Sequence, residues 1–182
     1  MEQREVILSV ECAEPEGTFT RSVRPARLTT DRLKFYWERL REFDVLFNDE
    51  IRQDLRAFIE VFLSGDLAND VQANGLIWEV DDVGIIYITD IRQSTANAHF
   101  SFWDRRIKGR ELLIREMLKW GFVTFGFHRI TCEVPLYAAP WLSRAVEKVG
   151  FVKEGRLREA TYYKGQWFDA ILYSILNHEV LD

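Results

Sequence analysis

Six consecutive residues, Arg105-Arg106-Ile107-Lys108-Gly109-Arg110, put four cations around one residue that has no Cβ. They lie between a segment with strand chemistry and a segment with helical spacing. The first N–H groups of a helix have no intrahelical acceptor and carry the positive end of its dipole, and a glycine lets an anion approach the backbone. The chemistry predicted for this junction is the binding of a phosphate or pyrophosphate. Just upstream, His99 lies in the run Ala96 to Trp103, on one strand face with Asn97, Ser101 and Trp103. An imidazole with an ordinary pKa of about 6.5 can take a proton near neutral pH. Glu133, after a short apolar run, and Asp90 are carboxylates able to do the same. A histidine between Phe100 and Phe102 equally fits a packed structural residue, and a glycine with basic neighbours equally fits a plain turn.

These groups need a scaffold, and the apolar periodicity supplies one. Val6, Leu8 and Val10 alternate ahead of Pro15 and Gly17, which predicts a short strand or arm and a turn within residues 1–22. Leu33, Trp37, Leu40 and Phe43 or Asp44 mark a helix face behind a Thr30 or Asp31 cap. A second helix is predicted from Asp49 to Leu63, with Gly65 as its stop. Three strands follow, Leu76 to Val80, Gly84 to Thr89 and Ala96 to Trp103, and then a long helix over residues 109–125. Leu113, Met117 and Trp120 form its apolar stripe, while Arg110, Glu111, Arg115, Glu116 and Lys119 are expected to face water. Arg129 to Val134 reads as a strand closed by Pro135. Pro140 starts a helix that Gly150 ends, and the strands Phe151 to Arg158 and Trp167 to Leu176 close the chain.

Composition excludes several classes. The 182 residues are 47% apolar and include 6 Trp, 6 Tyr and 13 Phe, enough for a packed core and too hydrophobic for a disordered chain. Twenty-four basic and 29 acidic residues leave a net charge of −5, so the molecule as a whole does not attract nucleic acid or an anionic membrane. Cys12 and Cys132 lack the spacing of a zinc site or a disulfide framework, so no metal is expected and both are read as free thiols. With no signal-like or membrane-length apolar run, the expectation is a cytoplasmic protein.

The run Val149-Gly150-Phe151-Val152-Lys153-Glu154-Gly155-Arg156-Leu157-Arg158, then Gly165-Gln166-Trp167-Phe168-Asp169 and Tyr173 to Leu176, resembles the closing pattern of the GNAT superfamily of acyl-CoA-dependent N-acyltransferases, in its ribosomal-protein N-acetyltransferase branch. Gly126-Phe127-His128-Arg129-Ile130 resembles that family's entry to its fifth strand. The stretch His99 to Asp104 also resembles GNAT-like proteins of tailed phages. The resemblance covers about residues 28–177.

It implies an α/β (α+β) fold: a single GNAT-type domain over 23–182, with a mixed, mostly antiparallel central sheet flanked by helices and residues 1–22 as an N-terminal arm or strand. It implies direct transfer of an acetyl group from acetyl-CoA to an amine, on a protein N-terminus or a small molecule, in a protein that could form a homodimer. Acetyl-CoA would be held by Phe102, Trp103, Arg105, Arg106, Lys108, Gly109 and Arg110, with His99 and Glu133 as catalytic groups; Tyr162, Tyr163 and Asp169 fit a role in shaping the acceptor cleft and equally fit packing of the closing hairpin. Tyr137 and Ser143 lie close in sequence to the expected thiol end of CoA without matching a family motif. Four positions depart from the family pattern. Glu111 stands where the family keeps Gly or Ala, Ala139 replaces Asn, Leu142 replaces Ser, and Val146 replaces the Tyr that protonates the departing thiolate. They motivate an alternative, a GNAT-fold protein without catalysis that serves as a binding or structural module.

Overall fold

The computed structural model describes residues 6–14, 17–43, 47–66, 70–104 and 107–181. A hairpin of β1 (Leu8–Glu14) and β2 (Gly17–Pro25) precedes the helices α1 (Thr30–Leu40), α2 (Asp49–Gln53) and α3 (Leu55–Phe62). Strands β3 (Leu63–Asp66) and β4 (Asp70–Ala73) form a small separate sheet, followed by β5 (Leu76–Val80), β6 (Gly84–Arg92) and β7 (Thr95–Phe102). Helix α4 (Arg110–Phe125), β8 (Arg129–Pro135), α5 (Ala139–Val149), β9 (Val152–Tyr163), β10 (Gln166–Leu176) and α6 (His178–Leu181) complete the order.

The main sheet runs β1-β2-β5-β6-β7-β8-β10-β9. All its neighbouring pairs are antiparallel except β7 with β8, which α4 joins as a crossover. This is the mixed, mostly antiparallel sheet flanked by helices that the sequence predicts. Alternation divides its side chains between two cores. Ile77, Ile85 and Tyr87 meet Leu33 of α1 and Phe58 and Phe62 of α3, whereas Ile86, Ala98 and Val134 meet Leu113 and Met117 of α4.

Local chemistry fixes the helix ends. The Thr29 hydroxyl accepts from the Arg32 N–H at 3.3 Å and caps α1, one residue ahead of the expected cap. Pro140 lies in the first turn of α5, and Gly150 stops it at φ 114°. Arg115, expected in water, instead donates to the Val149 carbonyl at 3.3 Å and ties α4 to the end of α5. The single helix predicted from Asp49 to Leu63 is two helices. Asp54 adopts φ −125°, ψ 110°, and its carboxylate accepts from the Arg56 N–H at 2.7 Å, so it caps α3 and breaks the run. Gly65 is not the stop: the backbone turns extended at Leu63 and pairs into β3.

Strand β9 reaches Tyr163, five residues beyond the expected end at Arg158. A bulge at Glu159 (φ 48°), whose N–H donates to Asp169 Oδ1 at 2.8 Å, lets the strand continue. The division drawn after residue 22 falls inside β2, where Val23, Arg24 and Pro25 pair with Val80, Glu79 and Trp78. Cys132 is a buried free thiol; Asp44 and the Cys12 side chain lie outside the described residues. Among the described residues no helix is long and apolar enough to cross a membrane.

Gly84 marks where β6 and β7 approach most tightly. A Cβ there would lie 2.4 Å from the Phe102 ring and 2.7 Å from the Ser101 carbonyl oxygen, a backbone atom that cannot step aside. At Gly155 a Cβ would meet nothing within 4 Å. Gly84→Ala is expected to destabilise by about 2 kcal/mol or more, in the range of overpacked sites, and Gly155→Ala to be neutral or mildly stabilising. Urea unfolding of both variants checks this.

Candidate active site

Strands β7 and β8 pair only through Thr95, Ala96 and Asn97 against Arg129, Ile130 and Thr131. Beyond Asn97 the two strands separate, and a cleft of about 510 Å³ opens between them. Both faces of the sheet contribute to it. From the α4 and α5 side come Phe100, Phe102, Leu142, Val146 and Phe151, with Arg110 and Glu111 at the start of α4. From the α1 side come Phe43, Tyr87, His99, Ser101 and Glu133. The cleft therefore has an apolar, helix-backed half and a polar half, and it joins them through a gap in the sheet.

On the polar face the His99 ring lies flat on Tyr87, with centroids 4.4 Å apart and planes 7° from parallel. Its Nε2 is 3.0 Å from Thr89 Oγ1. Burial pushes the imidazole down to about 4, against a smaller upward pull from Asp90. His99 is therefore a neutral hydrogen-bonding group at physiological pH, and too weak a base to be well matched to a protonated amine. Glu133 differs. Its side chain still meets solvent at the cleft mouth, but partial burial, and then the negative charge of Asp90, hold its carboxyl above the usual carboxylate range. Asp90 is aimed by a bulge between Thr89 and Arg92 and has a left-handed backbone, φ 48°.

Cys132 also lines the cleft, and burial pushes it up to about 12, so it is a neutral thiol rather than a nucleophilic thiolate. Burial likewise raises the Tyr87 hydroxyl to about 12.

At the other end, Gly109 adopts φ 67° as the N-cap of α4 and has no side chain with which to cap the first turn. Arg110 Nε lies 3.6 Å from Glu111 Oε1, so the acid that enters the cradle is partly offset by its neighbour.

Of the residues the sequence singles out, His99, Phe102, Glu133 and Arg110 line the cleft together. Arg105 and Arg106 lie outside the described residues. Lys108 is exposed beside Gly109 and is not part of the lining. Trp103 is elsewhere: its ring lies 6.1 Å from Phe35 and 6.4 Å from Tyr36, and its Nε1 donates to the Asp82 carbonyl at 2.6 Å. The ring stays on the α1 face of the sheet that also carries His99 and Tyr87, as alternation predicts, but it packs against α1 beyond the cleft lining. Of the hydroxyls named from sequence, Tyr137 stacks on Tyr163 at 4.0 Å, outside the cleft lining, and Ser143 also lies outside it. Sequence reasoning missed Tyr87, Thr89, Cys132, Phe43 and Trp141. Their place follows from strand register and helix packing, for which no local pattern exists.

No protein-family model matches the chain. It is 28% identical over 116 residues to YdaF of Bacillus subtilis (strain 168), which carries a provisional name as a ribosomal N-acetyltransferase. That match spans 61% of this chain and 62% of the relative, less than two thirds of its length. Among solved structures, a chimera of the Vibrio cholerae spermidine N-acetyltransferase SpeG with hSSAT superposes with a TM-score of 0.70 at 20% identity, over 89% of this chain and 98% of the other. A dodecameric structure of the Vibrio cholerae spermidine N-acetyltransferase gives 0.65 at 20% identity, over 89% and 96%. The sheet that parts beside a glycine-capped helix is thus the fold of the spermidine N-acetyltransferases, and over part of its length the chain is similar in sequence to a protein provisionally named a ribosomal N-acetyltransferase.

Proposed function

We propose that this protein transfers an acetyl group from acetyl-CoA to an amine, directly and without a covalent enzyme intermediate. The observation that carries the reading is the cleft through the sheet, whose apolar, helix-backed half and polar half meet where β7 and β8 part. A long, flexible thioester tail fits the apolar half. The open edge of β7 beyond Asn97 offers backbone groups to the amides of such a tail, and the start of α4, where Gly109 lets an anion approach the backbone, suits its pyrophosphate. Arg110, Gly109 and Lys108 would hold the phosphates, with Arg105 and Arg106 as further candidates, and Phe102 would pack on the tail. The acceptor would enter from the polar face. The names of the relatives point to two kinds of amine, a ribosomal protein and a polyamine, and the shared chemistry is an amino group that must lose a proton before it attacks.

Glu133 is assigned as the base that takes this proton, directly or through water, because its raised pKa makes it a stronger base than an ordinary carboxylate. His99 is assigned as a neutral hydrogen-bonding partner of the amine. The nitrogen attacks the thioester carbonyl carbon, the C–S bond breaks, and the CoA sulfur leaves as a thiolate. Val146 lines the thiolate side and carries no proton, so the remaining extra proton on the attacking nitrogen passes to the sulfur. Cys132, held as a neutral thiol, is a poor nucleophile, and this favours direct transfer over an acyl-cysteine route. Use of acetyl-CoA fits a cytoplasmic enzyme, and 23–182 is assigned as the catalytic unit, whose sheet is continued by the rest of β2 and by β1. The same Val146 favours a second reading, in which the cleft binds CoA without turnover.

Glu133→Gln is expected to lower kcat by about 100-fold or more while leaving the affinity for CoA unchanged. In the parent protein activity should fall as pH drops through the raised Glu133 pKa, so the acid limb of the kcat profile lies above the ordinary carboxylate range. A profile flat through that range would contradict the assignment. Removing the carboxylate nearest the cradle should relieve a like-charge repulsion worth about 1 kcal/mol, so Glu111→Ala is expected to tighten acetyl-CoA binding about fivefold in a calorimetric titration. Binding of CoA with no acetylation of any amine would favour the second reading.

A further inference from the structure

The amide oxygen Oδ1 of Asn97 is buried and has no hydrogen-bond partner among the described residues. Asn97 stands directly opposite Thr89 in the β6–β7 ladder, and directly opposed side chains have Cβ atoms about 4.5–5.5 Å apart. Thr89 is itself buried, and its Oγ1 lies 3.0 Å from His99 Nε2. A hydroxyl has one proton to donate and lone pairs with which to accept, so the direction of its one donation sets the polarity of everything bonded to it. Given to Asn97 Oδ1, that proton satisfies the orphaned acceptor, and Oγ1 can then only accept from His99. The ring proton must sit on Nε2, and Nδ1 keeps its lone pair. Given instead to Nε2, it leaves the Asn97 oxygen buried and unsatisfied, and the ring proton moves to Nδ1.

The first arrangement leaves no buried polar atom without a partner in this chain of three residues. It requires the side chains of Thr89 and Asn97, direct cross-strand neighbours, to close to hydrogen-bond distance while Oγ1 keeps its contact with Nε2. The flat stack on Tyr87, 7° from parallel, keeps the imidazole plane fixed while this happens. Because Nε2 is engaged by Thr89, Nδ1 is the ring nitrogen left for a molecule in the cleft that His99 lines.

We propose that Thr89 is a positioning residue that, relayed from Asn97, holds His99 in its Nε2–H tautomer, so that Nδ1 accepts a hydrogen bond from the N–H of the acceptor amine. The role in acetyl transfer rests on the function proposed above; the tautomer itself does not. Once Glu133 has taken the ammonium proton, an amine held in this way has its lone pair free to turn toward the thioester. The opposite tautomer would present an N–H to the amine nitrogen and compete for the lone pair that must attack.

The test reads the tautomer directly by long-range ¹H–¹⁵N correlation of the imidazoles in the whole protein at neutral pH. The chain has 3 histidines, so loss of one spin system in His99→Gln assigns the signal. The expected result is an unprotonated Nδ1 and a protonated Nε2 in the parent protein and in Thr89→Ser. In Thr89→Val the two tautomers should mix, and kcat should fall about tenfold with acetyl-CoA affinity unchanged, whereas Thr89→Ser keeps most of its activity. A protonated Nδ1 in the parent protein, or an unaltered tautomer in Thr89→Val, overturns the proposal. The predicted tautomer in a protein that binds no acetyl-CoA would contradict the function proposed above and leave the Thr89 assignment standing.

Discussion

Three residues of parallel ladder, Thr95, Ala96 and Asn97 against Arg129, Ile130 and Thr131, carry the whole arrangement. A parallel pair needs a crossover, and here that crossover is α4, whose Leu113 and Met117 anchor it to the sheet. The short ladder holds β7 and β8 together at one end. The tight β6–β7 contact at Gly84 and the β8–β10 pairing then hold each strand from its other side, so the two diverge instead of closing. Their divergence leaves an edge that hydrogen bonds can reach and opens a route between the two faces of the sheet. His99, Glu133, Phe102 and Arg110 line the walls of this gap.

Burial then decides what each group can be. The same low-polarity surroundings turn His99 into a neutral hydrogen-bonding group and keep Cys132 and Tyr87 protonated, while they make Glu133 a stronger base than a carboxylate in water. Asp90 adds to this because its bulge brings a second negative charge to the polar face. The division of labour among these groups therefore does not follow residue type. A histidine would be the customary base, yet here the carboxylate is better matched. The bulge that aims Asp90 also ends the regular ladder next to Thr89, whose hydroxyl joins His99 to the strand behind it.

Much of the scaffold was legible from local pattern. Pro140 and Gly150 bounded α5, strand β5 ran from Leu76 to Val80, and the apolar stripe of α4 identified the helix behind Gly109. Legibility failed where a side chain competed with the backbone. Asp54 reads as one more polar residue on a helix surface, but it takes the Arg56 N–H for itself and splits the helix. It failed also for features created by register. That Thr89 faces Asn97 and contacts His99, or that Tyr87 supports the imidazole, depends on which residues of β6 oppose which of β7. Trp103 keeps the face that alternation gives it, and only the packing of Phe35 and Tyr36 decides that its ring sits against α1 rather than in the cleft lining.

The claim on which the account turns is that acetyl-CoA lies in the gap between β7 and β8, and hydrogen–deuterium exchange of the whole protein with and without saturating acetyl-CoA tests it most directly. The account predicts slowed exchange of the amides at residues 98–102, along the open edge of β7, and at 110–112, in the first turn of α4, with little change in β1, β2 or β9. Saturation by acetyl-CoA without protection in those two segments would contradict it.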